Sequence, residues 1–413
     1  MDAYALFTSP LKNWVKHEGL TDKQIFVRAD LNVPITNGTI SDDFRLQAIR
    51  PTLDYILKHG GKITLATHIG RPKDQEKELS TNIIRRWLDD HGYDTRITLL
   101  ENLRFRKEET AWFDTILLTQ NHSPRADSPP RSSRVNSERI SIEGQRAYAK
   151  ELAQGIDYYI DDAFASVHDA DASLTALPEL FDTDHKGIGF LVEHELNELS
   201  ALKYHAQKPF VIILGGGKAA TKLPFLKALI PRVTDIMLCP AVSKPFWQLM
   251  HLKPTNSFSP EEEMALHEAR QIINLAQQHG VTLHLPQDYL VGTEGWQGKF
   301  IYKQASAITD NDTLIAIGPE TVALWTPIIT QAKTIFFNGP MGDLDKPETV
   351  KELKAVLHVI TQSNAVSVVG GGNSHAALQL FDLEHKVSFC STGGGATLAY
   401  LSGHDLPALD ALL

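Results

Sequence analysis

Three stretches of the chain share one build: VIILGGGKAATKL (211–223), VSVVGGGNSHAAL (366–378) and CSTGGGATL (390–398). Each runs from a strand-like apolar segment through three consecutive glycines into helix-forming residues. Core packing requires nothing of the kind. A helix N-terminus presents unpaired N–H groups and a partial positive charge of about +0.5. Glycine lets an anion reach those groups with no Cβ in the way. A single triplet can be a tight turn, but three in one half of a chain would surround a polyphosphate with donors. Two common nucleotide fingerprints do not apply. Lys218 is followed by alanine, so GGGKAATK is not a P-loop, and no triplet has the G-x-G-x-x-G spacing of a dinucleotide site. Lys218 and Lys222 stand four apart at a predicted helix start and so address one ligand from one face.

The first half offers complementary groups. RADLNVP (28–34) ends a predicted strand with Asp30 and Asn32, and SDDFRLQ (41–47) puts Arg45 just inside a helix that Ser41 is placed to cap. THIGRP (67–72) ends a strand with His68 and Arg71, and LLENLRF (99–105) supplies Arg104. Taken singly, an arginine at a strand end is ordinarily a surface ion-pair partner. Cations at the ends of successive parallel strands converge on one face, however, and guanidinium forks suit carboxylate and phosphate. The chain carries 40 Lys+Arg against 50 Asp+Glu, a net charge of −10. That balance argues against a nucleic-acid or membrane-surface binder and makes the clusters local anion traps.

Such groups need strands that end together. QIFVRADL (24–31), KITLATHI (62–69), RITLL (96–100) and DYYIDDAF (157–164) read as buried strands, with FRLQAIRPTLDYILKHG (44–60) and RAYAKELAQGI (146–156) as helices between them. FVIILGG, DIMLCP, VTLHLP, LIAIG, TIFFNGP, AVSVVGG and KVSFCST continue the theme in the second half. This alternation predicts an α/β protein whose parallel sheets are covered by helices on both faces. With 413 residues, 42% of them hydrophobic, the chain can build two cores, and so two lobes are expected. The first spans 1–185, a hinge helix 186–204, and the second 205–395. Residues 119–144, rich in Ser, Pro and Arg, read as a disordered insertion whose arginines can touch a phosphate or a partner. No leader-like N-terminus or membrane-length apolar run is present, and the two cysteines have no metal-ligand spacing. A soluble, cytoplasmic monomer is expected.

In order along the chain, VRADLNVPI, SDDFRLQAIRPTL, THIGRPK, LLENLRF, LGGGKAATKL, FFNGPMG, VVGGGNSHAAL and STGGGATLAYL resemble the phosphoglycerate kinase family. The likeness runs almost end to end; the 119–144 and 254–310 regions alone look individual. It implies a bilobal, hinge-bending kinase of two Rossmann-like, three-layer lobes, with a tail at 396–413 crossing back to the first. It implies transfer of a phosphoryl group between ATP and the carboxylate of 3-phosphoglycerate, with Mg2+ accompanying ATP and ADP. Carried over by position, Asp30, Leu31, Asn32, Arg45, His68, Ile69, Gly70, Arg71 and Arg104 would hold the acceptor. Lys218, Lys222, Asn338, Asp345, Gly370, Gly371, Gly372, Asn373, Ser374, Gly394 and Gly395 would hold the nucleotide. Arg45 and Lys218 would act as catalytic cations. Asn373 would face the metal as a neutral replacement for the family's carboxylate. The chain also departs from the family at Asp169 and Asp171, which stand for an arginine and a histidine. CPAVS (239–243) replaces a glycine-rich adenine-side loop, and Asp345 replaces a ribose-binding glutamate. These departures leave open a kinase of the same fold with another small carboxylate acceptor, or a nucleotide-binding scaffold.

Overall fold

The structure, a computed structural model, describes residues 3–36, 38–110, 131–217, 219–250, 259–309 and 311–413, with the backbone alone for 131–141. The chain divides into two compact units, one of residues 1–197 with 405–413, the other of 198–404. The boundary therefore cuts through the expected hinge helix. Residues 396–404, expected in the returning tail, belong to the second unit.

In the first unit, strands β1 (Gln24–Ala29), β4 (Lys62–Ala66), β5 (Ile97–Leu99), β6 (Tyr158–Asp162) and β7 (Lys186–Ile188) form one sheet in the order β5-β4-β1-β6-β7. Every neighbouring pair is parallel. β1 is buried almost throughout and β6 entirely, as expected of strands covered on both faces. A two-residue hairpin, β2 (Ile35–Thr36) with β3 (Thr39–Ile40), lies outside the sheet. Helices α1 (Leu11–His17), α2 (Phe44–Lys58), α3 (Asn82–Asp90) and α4 (Arg131–Leu152) belong to this unit, and α5 (Phe190–His205) begins in it. Ile49, Leu53 and Ile56 of α2 recur at helical spacing and enter the same apolar core as Ile25, Val27, Ile63 and Leu65.

Two local expectations change. Ser41 does not cap α2: its hydroxyl donates to Pro34 O, and the Asp42 carboxylate instead accepts the Phe44 N–H at 2.9 Å. The second half of the expected insertion, from Arg131, is helical. Gln145, Tyr148 and Ala149 of α4 are buried, and once an anchored turn exists, extending it through residues that tolerate a helix needs no new nucleus. The first half of that stretch lies outside the described residues.

The second unit carries β8 (Phe210–Leu214), β9 (Asp235–Leu238), β10 (Thr282–His284), β14 (Thr334–Asn338), β15 (Val366–Gly370) and β16 (Phe389–Ser391) in the order β10-β9-β8-β14-β15-β16. All five pairings are parallel. A separate antiparallel sheet joins β11 (Asp288–Trp296), β12 (Phe300–Gln304) and β13 (Thr313–Ile317). LIAIG, read from sequence as one more parallel strand, is β13 of that sheet. An apolar run of five residues says that a strand is buried, not which strand it pairs with. Around the main sheet stand α6 (Ala219–Leu229), α7 (Pro240–Met250), α8 (Pro260–His279), α9 (Pro319–Gln331), α10 (Lys351–Gln362), α11 (Gly372–Leu380) and α12 (Gly395–Ser402). The ends of α8 illustrate how firmly sequence marks them. Ser259 and Glu262 form a reciprocal capping box, Pro260 opens the first turn, and Gly280 closes the helix at φ 66.

Candidate active site

In the first unit the carboxyl ends of β1, β4 and β6 deliver the polar groups that the sequence singled out. Asp30 follows β1; its Oδ1 accepts from Arg45 Nη1 at 2.5 Å and its Oδ2 from Ser166 Oγ at 2.9 Å. Burial opposes ionisation of Asp30, but Arg45, with Arg28 behind it, overrides that penalty and holds the carboxyl well below the usual range. Asn32 Oδ1 accepts the Gly70 N–H at 3.0 Å, which fixes the turn after β4 against the turn after β1. Leu31 and Ile69 place their side chains in the core, leaving only backbone for a ligand. His68 is pushed far below its ordinary value by burial, and Arg104, Arg28 and Arg45 push the same way. It is a neutral imidazole. Its Nδ1 lies 3.2 Å from Arg28 Nη2, which can only donate, so the ring proton sits on Nε2.

Arg104 enters through a short 3-10 turn, where Asn102 Oδ1 accepts its N–H. Its Nη2 donates to Asp169 at 3.2 Å and to Asp171 at 3.0 Å. Arg71 is exposed and has no hydrogen-bond or ion-pair partner among the described residues. Three participants escaped the sequence reading. Arg28 is fully buried and bonds Ser173 Oγ at 2.8 Å, and the buried Glu109 bonds the same hydroxyl at 2.6 Å. Burial and the neighbouring Asp171 push Glu109 up to about 7. Ser166 is the third. Arg28 belongs to the quoted RADLNVP motif, but strand alternation gives no sign that an inward arginine has four polar neighbours.

In the second unit the three glycine segments do meet, and Asn338, the last residue of β14, joins them. Its Oδ1 accepts from Lys222 Nζ at 3.1 Å, and its Nδ2 donates to Gly370 O and Gly394 O, each at 3.2 Å. Lys222 also donates to Gly215 O, and Ser374 Oγ accepts the Gly339 N–H at 3.0 Å. The crowding explains two glycines. A Cβ on Gly215 would lie 2.1 Å from Gly339 O, and one on Gly371, at φ 95, would lie 2.9 Å from Gly394 Cα. α6, α11 and α12 therefore begin at one carboxyl edge, after β8, β15 and β16, with β14 and its Asn338 between the first two strands. Burial pulls Lys222 down to about 8. Cys239 is buried and its thiol pushed up to about 12 by burial, so it is chemically quiet.

Beside this cradle lies a cavity of about 340 Å3 lined by Trp296, Pro340, Gly342, Asp343, Leu344 and Asn373. Asn373 is thus on the wall. Asp345 is exposed and not part of it; its N–H donates to Asp343 Oδ1 at 3.1 Å. The carboxylate on the wall is Asp343. GDLD contains two acids, and counting along the family pattern selects the second, whereas the turn after β14 presents the first. Lys218 lies outside the described residues. Among the described residues no group of three His, Cys, Asp or Glu is arranged to hold a metal, and no helix is long and apolar enough to cross a membrane.

A family model described as phosphoglycerate kinase matches residues 15–404. The phosphoglycerate kinase of Thermomicrobium roseum is 31% identical over 416 residues, covering 95% of this chain and 97% of that protein. That of Campylobacter jejuni is 32% identical over 424 residues, covering 96% and 97%. Among solved structures, phosphoglycerate kinase from Pyrococcus horikoshii superposes with a TM-score of 0.75 at 25% identity, over 96% of this chain and 98% of that one. The enzyme from Coxiella burnetii gives 0.69 at 28% identity, over 96% and 97%.

Proposed function

The chain belongs to the phosphoglycerate kinase family, and on that premise we propose that its first unit binds 3-phosphoglycerate and its second ATP. The observation that carries this reading is the convergence of three glycine-flanked helix starts on Asn338 and Lys222. That is a cradle for a polyphosphate, and the row of Arg45, His68, Arg71 and Arg104 in the other unit suits a small anion.

A carboxylate oxygen of the acceptor attacks the γ-phosphorus of ATP. The bond from that phosphorus to the bridging oxygen breaks, ADP leaves, and the acceptor becomes an acyl phosphate. The attacking carboxylate is already ionised, so no general base is needed. What the protein supplies is position and dispersed positive charge. Arg45 neutralises charge on the transferring group from the acceptor side. Asp30 holds the Arg45 guanidinium in place, and the neutral His68 offers Nε2–H to the acceptor. Lys218 and Lys222, with the N–H groups that open α11 and α12, hold the phosphate chain. Acceptor and donor groups belong to different units, so chemistry requires both to be loaded.

Asn373 and Asp343 on one cavity wall offer two oxygens. That set fits a Mg2+ that arrives on the nucleotide and keeps phosphate and water ligands, rather than one caged by protein. Bound there, the ion would neutralise phosphate charge. The enzyme acts as a cytoplasmic monomer on small molecules, and its two cysteines suit a reducing compartment. A coupled assay with ATP and 3-phosphoglycerate tests the proposal. ADP formation should depend on both, and ADP formed at the same rate without acceptor, or none formed with it, would overturn the reading.

A further inference from the structure

At the acceptor edge, the Arg104 guanidinium is already engaged. Nη2 serves two carboxylates of the protein at once, Asp171 at 3.0 Å and Asp169 at 3.2 Å. The two partners differ in place. Asp171 is 1% exposed and also lies 3.9 Å from the buried Arg28, so it is an interior anion between two guanidiniums. Asp169 is 21% exposed and Arg104 14%, so this pair is open to an incoming ligand. His168 Nε2 stands 3.8 Å from the other oxygen of Asp169. The Arg104 Nε is buried with no hydrogen-bond partner among the described residues. Arg104 thus directs its bonds inward to fixed carboxylates, although a guanidinium fork could grip a phosphate with two parallel bonds.

Nη1 of Arg104 reaches Gly70 O only at 3.5 Å and is open to a ligand, but a phosphate dianion that takes it comes up beside the Asp169 carboxylate on Nη2, against like-charge repulsion. A hydroxyl meets no repulsion and can donate to the same carboxylate. We infer that Asp169 is a specificity-determining residue of the acceptor site. It acts as an internal stand-in for a distal phosphate, and so narrows the preference for a phosphate-bearing acid over the same small hydroxy acid ending in a hydroxyl. Non-phosphorylated 2,3-dihydroxy acids are therefore competent acceptors of this chain. The transfer itself is unchanged: a carboxylate oxygen bonds to the γ-phosphorus and ADP departs. This inference rests on the reading that Arg104 faces the acceptor.

The test compares 3-phosphoglycerate with D-glycerate as acceptor, with ATP as donor and the acyl phosphate trapped by hydroxylamine. Wild type, Asp169→Asn and Asp169→Arg are measured side by side. The ratio of kcat/KM for the phosphorylated over the plain acid should rise about tenfold in Asp169→Asn, the weight of one charge-assisted bond, and further in Asp169→Arg. The KM for 3-phosphoglycerate should fall, whereas that for glycerate should hold or rise as its hydroxyl loses the carboxylate acceptor. A merely structural role for Asp169 would move both acceptors by one factor, and that result, or an unaltered ratio, overturns the inference. For a variant that loses turnover altogether, calorimetric binding of 3-phosphoglycerate decides: tighter binding than wild type upholds it, equal or weaker binding overturns it. Arg104→Met separates the levels. If it leaves the KM of both acceptors unchanged, Arg104 is not at the acceptor and this inference falls alone. Absence of acceptor-dependent ADP formation in the wild type would instead overturn the kinase reading.

Discussion

At the carboxyl edge of the first sheet, Arg45 and Arg104 each meet a carboxylate of the protein. At the edge of the second, Lys222 meets, among the described residues, a carbonyl and a carboxamide oxygen and no carboxylate. In the first site the long side chains of Arg45 and Arg104 are charge-paired before any ligand arrives. Among the described residues, the second is made of glycine backbone around a half-buried cation, Lys222, that meets no carboxylate. A balanced site holds its shape when empty and selects ligands by exchanging partners. An unbalanced one stays electrostatically unsatisfied until a polyphosphate completes it. Lys222 falls to about 8, while the paired Arg104 is raised, its carboxylates outweighing its burial.

The largest effect should come from the first site. Arg45→Ala should lower kcat by about a thousandfold, as for other cations that act on a transferring phosphoryl group, with the KM for ATP within about twofold. A parallel loss of ATP affinity would show that the two sites do not divide the labour in this way. The glycines sharpen the contrast from the other side. Gly371→Ala forces a side chain onto φ 95 against Gly394, a strain of about 1–3 kcal/mol. The KM for ATP should rise several-fold to about a hundredfold and that for 3-phosphoglycerate stay put; initial-rate kinetics in both substrates read the split.

Proton uptake tests the claim of imbalance. Lys222, pulled down to about 8 by burial, is partly neutral in the ligand-free protein near that pH. Nucleotide phosphates favour its charged form, so ATP binding near pH 8 should take up a fraction of a proton. Affinity should fall as pH rises through that value. Calorimetry in buffers of different ionisation enthalpy measures the uptake, and Lys222→Arg, which cannot titrate there, should abolish it. The smallest effect belongs to Asn373→Asp. An added carboxylate at a helix start is tolerated and gives Mg2+ a charged oxygen. The magnesium concentration for half-maximal activity should therefore fall, read from titrations at fixed ATP. Coincident curves would mean that the nucleotide alone carries the metal.

Much of this arrangement was legible in the sequence because it rests on local signals. Apolar runs mark strands, and glycines at strand ends mark places where backbones must approach. The convergence of GGG segments follows from parallel strands ending on one edge. What escaped depends on non-local pairing. LIAIG reads identically whether its partners are parallel or not. Arg28 hides in a strand, and its burial depends on Ser173 and His68, far along the chain. Asp343 and Asp345 compete for one wall, and only the path of the turn after β14 chooses between them. Asp169 was visible as an oddity, but only its distance to Arg104 shows which cation it engages.

The last nine residues belong to the first unit. Tyr4 OH donates to Asp410 at 2.6 Å and accepts the Leu406 N–H at 3.2 Å, and Lys186 reaches Ala411 O at 2.9 Å. Leu406, Ala408 and Leu409 are buried. Residues 1–197 therefore leave the ribosome before the segment that completes their unit, whereas residues 198–404 form one uninterrupted stretch that can close as soon as it emerges. During synthesis the nucleotide-binding half reaches completeness while the acceptor-binding half still waits for its final segment. A chain cut between residues 405 and 413 would spare the one and leave the other with an open seam.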